Sequence, residues 1–131
     1  MGLIYVDACL VIYAFEDHAL FGPQARSAFK RALPGQLAIS PLVKLECLVA
    51  PMRTGNLVLQ RYYEQGLARF ALLQMPEEVF PHAAALRARF GLRTPDALHL
   101  ATAQYHVCEA LWTNDDRLAK AAHGMAVNVF A

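Results

Sequence analysis

Short apolar runs alternate along this chain with longer stretches of helical period. Leu3 to Val6 is rich in β-branched and aromatic residues and stops at an acid, which predicts a buried first strand. Ala8 to Phe15 reads as a short helix. Gly22-Pro23 opens a second, with Arg26, Lys30 and Arg31 on its polar side and Leu33-Pro34-Gly35 as its stop. Leu37-Ala38-Ile39 predicts another strand. Ser40 as N-cap and Pro41 as first helical residue then start a helix to about Arg53, broken by Gly55-Asn56. Leu57 to Phe70 has helical spacing through Leu57, Leu59, Tyr62, Tyr63 and Leu67, and Leu72 to Met75 predicts a strand closed by Pro76. Glu77 to Phe90 predicts a helix despite Pro81, ending at Gly91. Thr94-Pro95-Asp96 repeats the cap-then-proline signal for a helix through about Val107. Ala110 to Thr113 predicts a strand, Asp115 to Ala122 a short helix and Ala126 to Val129 a last strand. Strands alternating with helices form βαβ units, so the expected fold is α/β, a mainly parallel sheet with helices on its faces.

Composition sharpens this picture. With 131 residues the chain has the length of one domain, residues 1–131, and needs no disulfide or metal staple to build its core. Hydrophobic residues make up 56% and charged ones 18%, and mean hydropathy is +0.27. Some apolar surface should therefore remain after one core is filled, which predicts a homodimer or partner-binding face. Twelve basic residues against 11 acidic ones give a net charge of +1, so a protein that coats polyanions is excluded. The longest apolar run, Ala8 to Phe15, is too short to span a membrane, and no basic stretch precedes the N-terminal apolar residues. A cytoplasmic protein without membrane contact is expected. Cys9, Cys47 and Cys108 are odd in number and widely spaced, which points to small buried hydrophobes rather than disulfides or thiolate zinc.

The acids carry the chemistry. Asp7 directly follows the first strand, and Asp115 lies two residues past Thr113, the end of a later one. In a parallel sheet both fall at the carboxyl edge, where open α/β folds bind ligands. Asp96, in the first turn of its helix, can point to the same edge. Glu46 shares a helical face with Leu42, Val43, Val49 and Ala50, which places a carboxylate in an otherwise apolar stripe. Such a group needs a proton, a cation or hydrogen bonds, and converging carboxylates need a hard divalent cation, Mg²⁺ or Mn²⁺, suited to phosphate esters. The competing explanation is that Asp7, Asp96, Asp115 and Asp116 are helix caps and dipole partners. Capping does not explain Glu46, for which pairing with Arg53 or a rim position is the other solution.

Other motifs are quickly weighed. His99 and His106, seven apart, lack the i, i+4 spacing of a zinc protease and read as packing or rim histidines, while His18, His82 and His123 have no partner motif. Neither a P-loop, nor G-x-G-x-x-G, nor a G-x-S-x-G elbow occurs. Cys9 stands where an aspartate-nucleophile phosphotransferase would carry its second acid. Nine of the 12 basic residues are arginine, and Arg93, beside the Thr94-Pro95-Asp96 corner, is the best placed of Arg87, Arg89 and Arg93 to contact phosphate.

The first strand ending in Asp7, Glu46 after Ile39-Ser40-Pro41, the stretch Thr94 to Ala103 and the stretch Leu111 to Leu118 together resemble a PIN-domain protein of the VapC type, in order over nearly the whole chain. The resemblance implies a three-layer α/β/α fold and a ribonuclease that is the toxin of a toxin–antitoxin pair. Asp7, Glu46, Asp96 and Asp115 match the family's acidic quartet, which binds one or two Mg²⁺ or Mn²⁺ ions. On this basis Asp7 and Asp96 are the expected principal metal ligands, Asp115 a further one, and Glu46 a ligand or the group orienting the attacking water. Thr113 matches a supporting hydroxyl, and Asp116 is an extra acid. The implied reaction is hydrolysis of single-stranded or looped RNA, with a cognate antitoxin as protein partner. Cys9 departs from the usual Ser, Thr or Asn two residues after the first aspartate, and a thiol is the weaker hydrogen-bonding group. The rival readings are a non-catalytic α/β module binding RNA or protein with a degenerate site, and a metal-dependent nuclease or phosphodiesterase, including one acting on DNA, outside any toxin–antitoxin pair.

Overall fold

The computed structural model describes residues 2–122 and 124–130. Along the chain run β1 (Ile4–Val6), α1 (Ala8–Phe15), α2 (Gly22–Arg31), β2 (Leu37–Ile39), α3 (Pro41–Arg53), α4 (Leu57–Leu67) and β3 (Ala71–Leu72). They are followed by α5 (Val79–Phe90), α6 (Thr94–Tyr105), β4 (Ala110–Thr113), α7 (Asp116–Ala121) and β5 (Ala126–Asn128). The strands form one sheet in the order β3-β2-β1-β4-β5, every pairing parallel. Helices flank it in a three-layer α/β/α arrangement, as expected.

β1 is central and buried along its whole length, which is why it reads as an unbroken apolar run rather than an alternating one. Ile4 and Tyr5 pair with Leu37 and Ala38 of β2 on one side, and Ile4 to Val6 pair with Ala110 to Trp112 of β4 on the other. The chain builds outward from β1 through β2 to β3, then returns to the opposite side for β4 and β5. The reversal lies between β1 and β4, and their carboxyl ends open the crevice where this class of sheet binds ligands. Asp7 leaves the end of β1, its N–H bonded to the Trp112 carbonyl across the gap, and Thr113 closes β4.

The core consists of Tyr5, Val6, Leu10, Val11, Ile39, Val43, Leu100 and Leu111, all fully buried, with Leu118 and Tyr63. α5 packs along α6, and α1 packs on α2 and α3. Gly91 ends α5 in the left-handed region at φ 67°, its N–H bonded to the Arg87 carbonyl, and so turns the chain toward Arg93 and α6. Among the described residues no helix is long and apolar enough to cross a membrane.

Candidate metal centre at the sheet edge

Asp7 is the first residue after β1 and stands at the N-cap of α1, yet its side chain makes no capping bond. Its Oδ2 instead accepts a 2.8 Å hydrogen bond from the Thr113 hydroxyl at the end of the neighbouring strand. Thr113 is fully buried, and its oxygen also accepts from the Asp115 backbone N–H at 3.1 Å. One hydroxyl thus ties the ends of β1 and β4 together and fixes both a carboxylate and the start of the next loop. Asp115 does cap its helix, accepting from the Arg117 N–H at 2.9 Å, so for this residue the capping explanation holds beside any other role.

Glu46 reaches the same place from α3. Its partner is not Arg53 but His99, whose Nε2 lies 2.5 Å from Glu46 Oε1 and 3.8 Å from Asp7 Oδ1. Asp7, Glu46 and His99 offer ligand atoms that all lie within 4.8 Å of one another. The apolar stripe expected around Glu46 differs from what folds: Val43 and Cys47 face the core, Leu42 is half-buried, and Val49 and Ala50 are exposed. Glu46 sits at the margin of the buried face, its side chain 30% exposed and its Oε1 on His99.

His99, read from the sequence as a packing or rim histidine, is 1% exposed and belongs to the site. Its other nitrogen, Nδ1, lies 2.6 Å from the Tyr5 hydroxyl, which is 2.7 Å from Ser40 Oγ. Tyr5 and Ser40 are themselves fully buried, so the chain Ser40, Tyr5, His99, Glu46 runs from the core to the crevice, and among the described residues no buried side-chain polar atom lacks a partner. Burial opposes a charged imidazole, but Glu46, Asp7 and Asp96 outweigh it and raise the His99 pKa. The available signal in the sequence was that His99 follows Asp96 by three residues and therefore shares its helical face.

Asp96, in the first turn of α6, is mostly buried and accepts from Arg93 Nε at 3.2 Å. Burial raises its pKa above the usual carboxylate range; Arg93 opposes this, and the neighbouring Asp115 and Asp7 add to it. Asp116 points elsewhere, accepting from Asn128 Nδ2 at 3.0 Å. The Cys9 thiol, two residues after Asp7, is pushed up by burial first and by Asp7 second, and stays protonated. Of the remaining histidines, His106 bonds to the Gln74 carbonyl, His82 to Gln104 and His18 to the backbone of Leu20 and Phe21; His123 lies outside the described residues.

The donor set fits a hard divalent cation. Asp7, Glu46, Asp96 and Asp115 are oxygen donors of the kind Mg²⁺ and Mn²⁺ take, whereas both His99 nitrogens are already engaged and suit it to hold Glu46.

The PIN domain family model matches residues 4–124, and the chain belongs to that family. No curated protein sequence matches it. Among solved structures, a toxin–antitoxin complex from Klebsiella pneumoniae contains a chain 24% identical, with a TM-score of 0.81, covering 96% of this chain and 97% of that one. The VapBC2 complex of Rickettsia felis bound to a promoter DNA fragment matches at 16% identity and TM-score 0.75, covering 96% and 98%. The Mycobacterium tuberculosis toxin VapC20, described as cleaving the sarcin-ricin loop, matches at 13% identity and TM-score 0.77, covering 90% and 94%. These likenesses bear out the shared fold.

Proposed function

We propose that this PIN-domain protein is a metal-dependent endoribonuclease, the toxin of a toxin–antitoxin pair. The observation that carries the reading is the convergence of Asp7 and Glu46 around His99 at the β1/β4 crevice. Helix capping does not explain this, since Asp7 makes no cap bond and Glu46 lies in mid-helix. Asp7, Asp96 and Asp115 would hold Mg²⁺ or Mn²⁺, with Glu46 as a further ligand or as the acceptor that orients water. Such an ion supplies charge neutralisation and Lewis acidity for phosphodiester hydrolysis. Thr113 holds Asp7 in position, and the Ser40-Tyr5-His99 chain holds Glu46 through its Oε1. A water lined up by Glu46 would add to the phosphorus as its proton passes to the Glu46 carboxylate, and the P–O3′ bond would break with the 3′ oxygen taking a proton from solvent. Arg93 restrains Asp96 and contributes positive charge at the rim; Asp116, turned to Asn128, has no part in this scheme.

The toxin role draws support from the solved relatives, several of which are toxin–antitoxin complexes. It also draws support from the apolar residues exposed on α3 and α4, Leu45, Met52, Leu57 and Val58, which suit a homodimer contact or an antitoxin segment. Expression of the chain in a bacterial host without its antitoxin should arrest growth, and Asp7→Asn should abolish the arrest. Purified protein should cut RNA and leave DNA of the same sequence intact. Growth unaffected by the intact chain, or cleavage of DNA and RNA alike, would contradict the reading.

A further inference from the structure

Beside the acidic crevice lies a second feature with the opposite charge. A cavity of about 330 Å³ opens between the end of α5, the start of α6 and α7, lined by Phe90, Leu92, Arg93, Asp96, Arg117 and Lys120 among others. Three cations face it against one carboxylate, in a chain whose net charge is only +1. Arg93 meets Asp96 through Nε at 3.2 Å, and Arg117 approaches Asp115 through Nε at 3.8 Å. Both contacts leave the terminal guanidinium nitrogens to other acceptors. Arg93 and Arg117 are largely solvent-accessible, at 69% and 71%, and among the described residues no ion pair engages Lys120. Asp96 is shared between this cavity and the carboxylate cluster, so the two are contiguous.

Forked guanidinium groups with an ammonium in a small recess suit an oxyanion with several acceptor oxygens. The volume is at the lower end of ligand pockets, roughly 300–1,000 Å³, which suits one phosphate with its sugar and not a folded partner. We propose that this cavity receives the backbone phosphate of the RNA strand flanking the bond to be cut, with Arg117 and Lys120 as its principal contacts. The inference rests on the ribonuclease reading and adds to it where the strand enters. Phosphate contacts of this kind set register without reading sequence.

The test is steady-state cleavage of a labelled RNA oligonucleotide in Mn²⁺ over a range of salt concentrations. It compares wild type, Lys120→Gln, Arg117→Gln/Lys120→Gln and, as a charge control, Arg61→Gln on exposed α4. Calorimetric Mn²⁺ binding is measured on each. Each lost contact to single-stranded RNA should lower the slope of log(kcat/KM) against log salt by about 0.7. The double variant should therefore lose about 1.4 in slope, with KM up roughly ten-fold near physiological salt, kcat within about two-fold and Mn²⁺ affinity unchanged. Arg61→Gln should match wild type. A double variant with wild-type KM and salt slope overturns the proposal while leaving the ribonuclease reading intact. So does a loss confined to kcat or to Mn²⁺ affinity, which would mark damage to the acid cluster. Wild-type protein that leaves RNA uncut overturns both.

Discussion

Thr113 and Tyr5 show how single hydroxyls hold this site. Thr113 is fully buried and serves Asp7 and the Asp115 backbone at once, so its replacement by the isosteric valine leaves packing intact and removes only the polar contacts. Loss of a group that orients a metal ligand costs roughly 10- to 100-fold in metal affinity or activity. Calorimetry on Thr113→Val should show Mn²⁺ binding weakened to that extent, and the metal-free protein should melt lower, because Asp7 and the Asp115 N–H lose their shared partner. Tyr5→Phe acts farther from the crevice, where it strands Ser40 and His99 in the core without their shared partner. Unpaired buried groups cost about 1–3 kcal/mol, which denaturant unfolding in EDTA should register as a lower midpoint. The acids at strand ends and helix starts were legible in the sequence, since punctuation by Asp7, Pro95 and Asn114 marks the sheet edge. His99 was not, because its partners Tyr5 and Glu46 lie 94 and 53 positions away and no local period reveals them.

At the level of elements, boundaries follow their caps. Pro at the first turn of α3 and α6 and Gly91 after α5 made those helices readable, and β1, β2 and β4 fall within a residue of the apolar runs that predict them. β3 is shorter and earlier than expected, Ala71–Leu72 instead of Leu72 to Met75, because edge pairing with β2 is limited to Ala38 and Ile39. Glu46 converged on the crevice although its helical surroundings were misjudged: the buried face of α3 is narrower than a hydrophobicity count suggests, since Val49 and Met52 point outward. One element carries strain. Val107, after the last turn of α6, lies at φ 53°, a region costly for a β-branched residue, and its side chain is 83% exposed. Relief of that conformation outweighs the added chain entropy of glycine, so Val107→Gly should stabilise the fold by about 0.5–1 kcal/mol. A melting temperature raised by about 2–4 °C would register this, and a lowered one would show that the turn is not strained.

At the scale of the molecule, near-zero net charge conceals separation. Carboxylates collect at the β1/β4 crevice, cations line the adjoining cavity, and exposed apolar side chains lie on α3 and α4. The reversal of strand order beside β1 sets Asp7 after β1 and Asp115 after β4 at one sheet edge, where Glu46 and His99 meet Asp7. The apolar excess and the acids were visible in composition and spacing; their arrangement on one surface came from topology. Together these carboxylates are proposed to form one metal site that cleaves RNA. The most direct measure is the cleavage rate of an RNA oligonucleotide as Mn²⁺ is titrated into metal-free protein, for wild type and Asp96→Asn. Saturable cleavage by wild type that EDTA abolishes, with Asp96→Asn slower by roughly 100-fold or more at every Mn²⁺ concentration, is the expected result. Cleavage that persists in EDTA, or an Asp96→Asn variant as active as wild type, would contradict it.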